Sequence, residues 1–504
     1  MNRLSCKNIV ANATMAAVSM ALASCALFNA DSERLKAKLD PSVVRITTTV
    51  QIPAYHAPWI WRQPINRSGQ GVVVGKNLVL TLASNVNNAK VIRMTVGTEP
   101  TPTPMTVKAI NYDTNLALLT GNLPPEAKPL TIPKASDFIH AAPLRTYWKT
   151  GNGSLVEGSA VLDKADTRYN FNSFQTQIMY HAIRSSHPQT GYGVPVFDNN
   201  GNFFGLATQG GNEYDFIIIT CDTIAKSFDL AKGDTICETG MPGFSVSPLI
   251  QTYLRRKLGL SGNDGGCLVT KVFQQGSGAE QLKKGDVLLA LDGHPLDAWG
   301  RYKHPLFGPT FYSHLFSDHF VTTPLKATIA RNGKKIDLDL KLAAVDDAKW
   351  LVPTNPAFKP VDYLVSGGFV FLPLTLTYIK EWGGDYMNKA PMPLLSALNR
   401  ARGNLKTDKR RDVVVLSRVL SHTSNIGLQN FGNNIVVEVN GKPLKGMREL
   451  KEILDDTSKK VVKLTLLPGR IPLWLSLPAM KRADAEIKMR YGIDKLERLT
   501  PDRK

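Results

Sequence analysis

The sequence contains few cysteines, and it has no apolar run long enough to cross a membrane. Only five of its 504 residues are cysteine, and their spacing matches no metal-binding motif. No basic stripe interleaved with aromatic residues is present, so nucleic-acid binding is not expected although the formal net charge is +19. Glycine and proline are spread along the chain, which excludes collagen-like and low-complexity classes.

The residues that are present suffice for several packed cores. Apolar residues make up 43% of the chain. At roughly 150 residues per domain, the length predicts about three domains. The positive charge permits an anionic partner but does not require one. No metal or cofactor is expected.

Residues 1–24 are typical of a targeting segment. Arg3 and Lys7 give a basic start, and the small and apolar run that follows is too short for a membrane span. The run ends in Leu-Ala-Ser-Cys, which resembles the bacterial lipobox whose cysteine is lipidated. We therefore predict a signal peptide at 1–24, a lipid on Cys25 and a lipid-tethered linker at 25–40. The alternative is an ordinary secretory signal, with Cys25 incidental.

The residue after the lipobox bears on localisation. Ala26, and not aspartate, follows the cysteine, which by resemblance to Gram-negative sorting favours an outer-membrane lipoprotein on the periplasmic side of the bacterial envelope. Downstream, Cys221, Cys237 and Cys267 remain. An oxidising envelope permits a Cys221–Cys237 disulfide, and buried thiols are equally compatible with the sequence.

Short β-rich runs separated by turn residues dominate the chain before residue 220. Close spacing of short strands is typical of antiparallel barrels or sandwiches. From residue 240 two similar modules follow, the first at 240–345 and the second at 360–470. Each contains a strand that ends in a tight turn, at 292–293 and at 440–441. Residues 471–504 are predicted to be a charged tail with a solvated helix.

Several segments resemble, in the same order, parts of the Deg/HtrA family of trypsin-like serine proteases. They match the first barrel, the segment of the catalytic aspartate, the nucleophile turn and two PDZ signatures, at 68–74, 78–86, 113–119, 190–198, 282–288 and 363–371. The resemblance implies a mainly β chain with some α. It implies a trypsin-like double β-barrel at 41–235, followed by two PDZ-like domains in the two modules.

The residues at the family's catalytic positions lack the necessary groups. A trypsin-like site needs a hydroxyl nucleophile, an imidazole that takes its proton and a carboxylate that orients the imidazole. By the resemblance, the histidine position is Ser84, the aspartate position is Asn115 and the serine position is Tyr192. Serine is no base at neutral pH, asparagine carries no charge, and the tyrosine has no base beside it. The resemblance therefore implies a pseudoprotease without catalytic residues.

A displaced active site would need another base and another hydroxyl. His181 and His187 flank Ser185 and Ser186 shortly before the nucleophile turn. No Gly-x-Ser-Gly context surrounds either serine, and we interpret all four as loop residues.

A PDZ domain binds an extended peptide as an added strand. It holds the terminal carboxylate on backbone N–H groups of a glycine-containing loop. By the resemblance, two segments are candidate peptide-binding loops: Gly243, Phe244, Ser245 and Val246 in the first module, and Gly367, Gly368 and Phe369 in the second. The family usually has glycine at the position of Ser245. The alternative for both modules is docking against the barrel or a neighbouring subunit, without a free ligand.

The sequence thus predicts an envelope-tethered Deg/HtrA-like protein that is proteolytically inactive. It would bind peptides, protein C-termini or unfolded envelope proteins as a scaffold, adaptor or chaperone-like protein. A homo-oligomer is expected, a trimer by the resemblance. Two alternatives stay open. One is an active serine endopeptidase of envelope protein quality control with an unorthodox site, and the other is a structural homo-oligomer.

Overall fold

The computed structural model describes residues 31–97, 101–135, 139–169, 176–186, 193–209, 214–229, 235–260, 264–354 and 360–500. The helices are α1 (31–39), α2 (Ala83–Val86), α3 (Cys221–Ser227), α4 (Thr252–Lys257), α5 (Ser313–Ser317), α6 (Leu376–Ile379), α7 (Tyr386–Lys389), α8 (Met392–Ala401), α9 (Met447–Asp455) and α10 (Leu477–Arg490). Single 3₁₀ turns lie at Asp347–Lys349, Lys380–Trp382, Thr423–Asn425 and Gln429–Phe431.

The strands fall into four main groups. In the first half of the chain they are β1 (Val43–Val50), β2 (Ile65–Gly75), β3 (Leu78–Leu82), β4 (Ala89–Thr95), β5 (Thr103–Asn111), β6 (Leu116–Thr120), β7 (Pro143–Lys149), β8 (Leu155–Tyr169), β9 (Thr176–Ile183), β10 (Val194–Asp198), β11 (Phe203–Gln209), β12 (Phe216–Thr220), β13 (Phe228–Asp229) and β14 (Thr235–Ile236).

In the two modules the strands are shorter. They are β15 (Phe244–Ser247), β16 (Cys267–Val272), β17 (Val287–Leu291), β18 (His294–Pro295), β19 (Arg301–His304), β20 (Gly308–Phe311), β21 (Leu325–Arg331), β22 (Lys334–Leu340), β23 (Tyr363–Ser366), β24 (Phe369–Pro373), β25 (Val414–Val419), β26 (Asn434–Val439), β27 (Lys442–Pro443), β28 (Val461–Leu467), β29 (Ile471–Ser476) and β30 (Glu497–Arg498).

Two closed antiparallel barrels form the first half of the chain. The strand order β1-β2-β3-β6-β5-β4 closes the first barrel, and β10-β11-β12-β9-β8-β7 closes the second. Strand β1 shows why the sequence folds this way, since Val44 and Ile46 are buried while Arg45 and Thr47 between and after them are partly exposed. Alternate side chains therefore enter the barrel interior. The mainly β double barrel expected from the sequence is confirmed.

The two barrels share one apolar cluster. Leu80 and Leu118 of the first barrel pack with Phe197 and Leu206 of the second, and all four are fully buried. Tyr147 meets Phe197 edge-to-face, with ring centroids 5.5 Å apart. This shared core fixes the position of one barrel against the other, and with it the cleft between them.

The first module is built on the sheet β15-β16-β17-β21-β22, with β18 paired to β17. Asp286, 1% exposed, precedes β17 and accepts two hydrogen bonds of 2.7 Å from the guanidinium of Arg331. It also accepts one of 2.8 Å from the backbone N–H of Lys283. This buried ion pair ties the start of β17 to the end of β21. The module also touches the second barrel, where Lys226 on α3 forms an ion pair with Asp318.

The second module extends beyond the boundary predicted at residue 470, and the predicted solvated tail is wrong. Strand β29 pairs along β28 from Val461 to Leu466, and β30 pairs with β23. Helix α10 buries Met480 and Ile487 in the two apolar clusters of this module. The sheet order is β29-β28-β26-β25-β24-β23-β30, with β27 on β26. Residues 471–500 are therefore part of the second module.

The loop 51–64 between β1 and β2 reaches from the first barrel into the second module. Tyr55 is 1% exposed, and its ring centroid lies 6.1 Å from that of Tyr378 in the core of the module. Trp59 packs edge-to-face on Tyr363 at 6.1 Å. Arg62 forms an ion pair with Glu381. No local sequence pattern predicts this contact, which attaches the second module to the first barrel.

Cysteine pairing and membrane spans can be assessed for the described residues. No disulfide joins Cys221, Cys237 and Cys267 there, and burial raises the pKa of the Cys267 thiol to about 12. Within the same part of the chain, every helix is too short or too polar to cross a bilayer.

Candidate active-site cleft

Two of the three predicted catalytic positions lie at the same end of the first barrel. Strand β3 runs directly into α2, whose second residue is Ser84. Asn115 immediately precedes β6, and β3 and β6 are paired so that Leu82 lies opposite Leu116. Asn115 has a φ of +58°, a left-handed conformation that asparagine tolerates better than most residues. The local geometry thus brings Ser84 and Asn115 together.

Ser84 and Asn115 are hydrogen-bonded to each other. The backbone N–H of Ser84 donates to Asn115 Oδ1 at 2.9 Å, and Asn115 Nδ2 donates to Ser84 Oγ at 3.4 Å. The backbone N–H of Ala83 also donates to the Asn115 carbonyl oxygen at 2.9 Å. At the two positions that the resemblance assigns to the carboxylate and the imidazole, the chain thus has an amide and a hydroxyl. Neither group accepts a proton at neutral pH.

The third position, Tyr192, lies outside the described residues, so its predicted place is untested. Gly193, the next residue, is described and has a φ of +82°. A Cβ on Gly193 would lie 2.6 Å from the Gln70 carbonyl oxygen and 3.1 Å from Asn85 Nδ2. Because Asn85 follows Ser84, the chain that leaves residue 192 runs against the segment that carries Ser84. Only glycine fits this close approach.

A polar clamp holds the cleft walls together. Gln70 on β2 donates from Nε2 to the Lys149 carbonyl oxygen at 3.0 Å and accepts from the Lys149 N–H at 3.0 Å. Lys149, whose side chain is 1% exposed, forms an ion pair with Asp40. On the other side, Asn85 Nδ2 donates to Thr81 Oγ1 at 2.9 Å. The paired hydrogen bonds of Gln70 join β2 of the first barrel to β7 of the second.

Sequence reasoning missed the members of this clamp. The available signal was Gln70, a polar residue between two glycines at the start of the apolar run 71–74. Gln70 is 5% exposed, and the oxygen and the nitrogen of a buried side-chain amide both need hydrogen-bond partners. Lys149 gave no comparable signal, because its partner in the ion pair lies far away in the sequence.

Three of the four residues considered for a displaced site are described, and they lie on β9 or directly after it. Ser186 Oγ accepts a hydrogen bond of 2.8 Å from the Ser159 N–H, which ties it to β8. Ser185 is buried, and His181 lies on β9. His187 lies outside the described residues. Ser185 and Ser186 are loop residues, as predicted, whereas the same prediction for His181 is wrong because this residue pairs within the second barrel.

The predicted peptide-binding loop of the first module has few free amide groups. Pro242 has no N–H group. The Met241 N–H donates to the Ala343 carbonyl oxygen at 3.1 Å, and the Gly243 N–H donates to the Ser277 carbonyl oxygen at 2.8 Å. Phe244 is 3% exposed and stacks on Tyr312 at 5.6 Å. These contacts disfavour carboxylate capture just before β15.

The sheet of the first module has an edge strand to which a peptide could add. Strand β15, which contains Ser245 and Val246, pairs with β16 on one side only among the residues that the structure describes. Both side chains are partly exposed. An extended segment can therefore add to this edge, and peptide binding by Gly243, Phe244, Ser245 and Val246 stays a prediction.

The predicted peptide-binding loop of the second module needs correction. Gly367 and Gly368 form the tight turn between β23 and β24, in which Ser366 pairs with Phe369. The Gly367 N–H donates to Asp484 Oδ1 at 2.6 Å, and a Cβ on Gly367 would lie 2.3 Å from Met480 Cγ. The carboxylate of Asp484 on α10 thus takes the place of a peptide carboxylate.

The strand edge beside this turn is occupied as well. Strand β23 pairs along β24, and β30 pairs along β23. Phe369 is 1% exposed and belongs to the core of the module. Neither the turn nor the strand edge offers room for a peptide, because the chain itself fills both.

The comparisons with known proteins agree with this architecture. Residues 352–497 match the family model of the PDZ domain, which includes most of the segment beyond residue 470. The chain is 23% identical over 458 residues to "Putative protease Do-like 3, mitochondrial" of Arabidopsis thaliana, covering 88% of this chain and 77% of the relative. It is 24% identical over 466 residues to "Protease Do-like 2, chloroplastic" of the same plant, covering 90% and 74%.

A solved structure is similar in fold. It is an alanine variant of the HtrA-type protease AlgW with a decapeptide, with a TM-score of 0.51 and 16% identity, covering 64% of this chain and 98% of that chain. At that identity the similarity shows the fold alone. The chain therefore combines a closed double barrel with a C-terminal PDZ domain, and over most of its length it is similar in sequence to the two plant Do-like proteins.

Proposed function

We propose that this protein binds unfolded polypeptide segments in the cleft between its barrels and does not hydrolyse them. The observation that carries the proposal is the neutral Ser84–Asn115 pair, with 2.9 Å between the Ser84 N–H and Asn115 Oδ1. Peptide hydrolysis in this fold requires a base that takes the nucleophile's proton and a carboxylate that orients the base. The pair supplies neither, so recognition without cleavage is the function that the geometry supports best.

The cleft keeps the features that binding needs. The shared apolar core and the Gln70–Lys149 clamp hold its walls in one arrangement, and a preorganised site loses less entropy when it binds. The HtrA-type protease AlgW has been solved with a decapeptide, which supports a peptide as the class of ligand.

Fluorescein-labelled β-casein tests the proposal in one sample. The expected result is a rise in anisotropy on addition of the protein and an intact casein band after overnight incubation. Ser84→Trp is expected to weaken binding at least tenfold because the indole fills the cleft, whereas Ser84→Ala is expected to leave binding unchanged. A casein-cleaving activity that copurifies with the protein would contradict the proposal. Casein binding by Ser84→Trp with the affinity of the wild type would contradict it as well.

We also propose that the protein is tethered to the envelope through Cys25. The support is the lipobox-like sequence at 22–25; these residues lie outside the described part of the chain. Growth with radiolabelled palmitate is expected to label the wild type and Cys6→Ala but not Cys25→Ala. Label that persists in Cys25→Ala would rule out this anchor.

A further inference from the structure

The second module carries a groove that none of the predicted sites includes. It has a volume of about 580 Å³ and lies between α8, β26 and the segments 409–413 and 467–469. No residue of β23, β24, α9 or α10 lines it, so it is separate from the filled turn at Gly367. A volume of this size is typical of sites that enclose a small ligand or the anchoring side chains of a larger one.

Apolar residues from three elements contribute to the lining of the groove. Ala397 and Met392 contribute from α8, Ile435 and Val437 from β26, and Leu467 from the end of β28. Met392 is 74% exposed, so most of its apolar surface is in contact with water. An apolar side chain of a ligand would find partners here and remove that surface from water.

The rim of the groove is basic and unneutralised. Arg400, Lys409 and Arg410 are exposed, and within the described part of the chain none of the three forms an ion pair. The neighbouring Arg411, in contrast, lies 2.9 Å from Asp408. The acidic lining residue, Asp412, accepts a hydrogen bond of 3.2 Å from the N–H of Met447 at the start of α9. The field over the groove is therefore positive.

We propose that this groove binds an acidic protein segment, with an apolar side chain on its floor and carboxylates at the three cations. The proposal deepens the proposed function and rests on it, because it names the chemistry of one class of bound polypeptide. Three cations on two separate segments suit several spaced carboxylates rather than a single headgroup. The lining holds no aromatic ring on which a nucleobase could stack, which argues against single-stranded nucleic acid.

The probe for the test is a fluorescein-labelled dodecapeptide that alternates leucine with glutamate. With the full chain at about 0.15 M salt, the triple variant Arg400→Gln, Lys409→Gln, Arg410→Gln is expected to raise the Kd roughly tenfold, as the sum of three exposed ion pairs. The matched control is Arg256→Gln, Lys257→Gln, Lys284→Gln, which removes the same charge from exposed sites of the first module. It is expected to stay within about twofold of the wild type.

Two further arms separate the contributions of floor and charge. Ala397→Trp, which fills the groove without changing charge, is expected to weaken binding as much as the triple variant. A serine–glutamate peptide is expected to bind at least tenfold more weakly than the leucine–glutamate peptide. The proposal would be overturned if the two triple variants lost the same amount of peptide affinity, or if the two peptides bound equally well. It would also be overturned if the groove variant lost affinity for phosphatidylglycerol vesicles but kept its affinity for the peptide.

The outcome for casein distinguishes this proposal from the proposed function. If Ser84→Trp lowers casein binding while the groove variants leave the leucine–glutamate peptide bound, the groove assignment alone fails. If the wild type binds neither casein nor the peptide, the proposed function fails as well.

Discussion

A chain that ends at Arg470 is expected to lose its second module as a folded unit. The deletion removes β29, which pairs along β28, and β30, which pairs with β23. It also removes α10, whose Leu477, Met480 and Ile487 are at most 3% exposed. Loss of one large buried side chain costs about 2–5 kcal/mol, and a whole domain is stable by only about 5–15 kcal/mol. The loss of several such side chains therefore exceeds the stability of the module.

Hydrogen–deuterium exchange in the full-length and shortened chains measures this effect. The amides of β24 to β26 are expected to lose most of their protection in the shortened chain, while those of the barrels keep theirs. A chain that ends at Thr500 retains β30 and serves as the matched control, with exchange expected to equal that of the wild type. Protected β24 and β25 in the chain ending at Arg470 would show that residues 471–500 are a dispensable tail after all.

The first module is expected to lose stability as the pH falls from about 6.5 towards 4. Burial lowers the pKa of His314 to about 4, from 6.5 in the unfolded chain, against the opposing attraction of Asp318. The groups that face this imidazole are the Tyr302 hydroxyl at 2.7 Å from Nδ1, the carboxylate of Asp318 at 4.0 Å from Nε2, His304, Lys226 and Asp222. Among them, His304 and Lys226 further disfavour a proton on His314.

The direction of this change in stability with pH follows from proton uptake. Between these two pH values the unfolded chain binds a proton that the folded chain does not, so unfolding is favoured as the pH falls. The stabilisation is complete above about pH 6.5, and its loss amounts to roughly 3 kcal/mol at most near pH 4.

Opening free energies from hydrogen exchange of β17, corrected for intrinsic rates, measure this dependence between pH 7 and pH 4.5. His314→Asn keeps an acceptor near Tyr302 but takes up no proton, so its profile is expected to be flatter than that of the wild type. His140→Asn, at an exposed position, is expected to follow the wild type. Identical slopes in the wild type and His314→Asn would disprove the role of this imidazole.

The two barrels were within reach of sequence reasoning for a physical reason. Strands such as β1 and β3 are buried on alternate or on both faces and leave a readable pattern, and the motif order placed Ser84 and Asn115 on adjacent strand ends. Their mutual hydrogen bonds follow from the pairing of β3 with β6. The structure thus shows Ser84 and Asn115 in contact, and their assignment to the family's catalytic positions stays a prediction.

The second module was beyond that reach because its contacts join distant segments. Asp484 caps the turn at Gly367 over 117 residues of sequence, and no local pattern marks such a partner. Helix α10 carries many charges on its exposed face, so its composition resembles that of a solvated helix although Met480 and Ile487 are buried. Tyr55 likewise lies in a loop, and no local pattern indicates that its side chain is buried in the core of the second module.

The central claim, that the cleft holds no proton relay, is tested most directly by covalent labelling. A fluorophosphonate reacts only with a hydroxyl that a neighbouring base activates. Intact-mass measurement of the full chain after prolonged exposure is expected to show no adduct, while an active trypsin-like protease in the same tube is labelled completely. A stoichiometric adduct that disappears on mutation of a single serine would contradict the account and identify the protein as an active serine hydrolase.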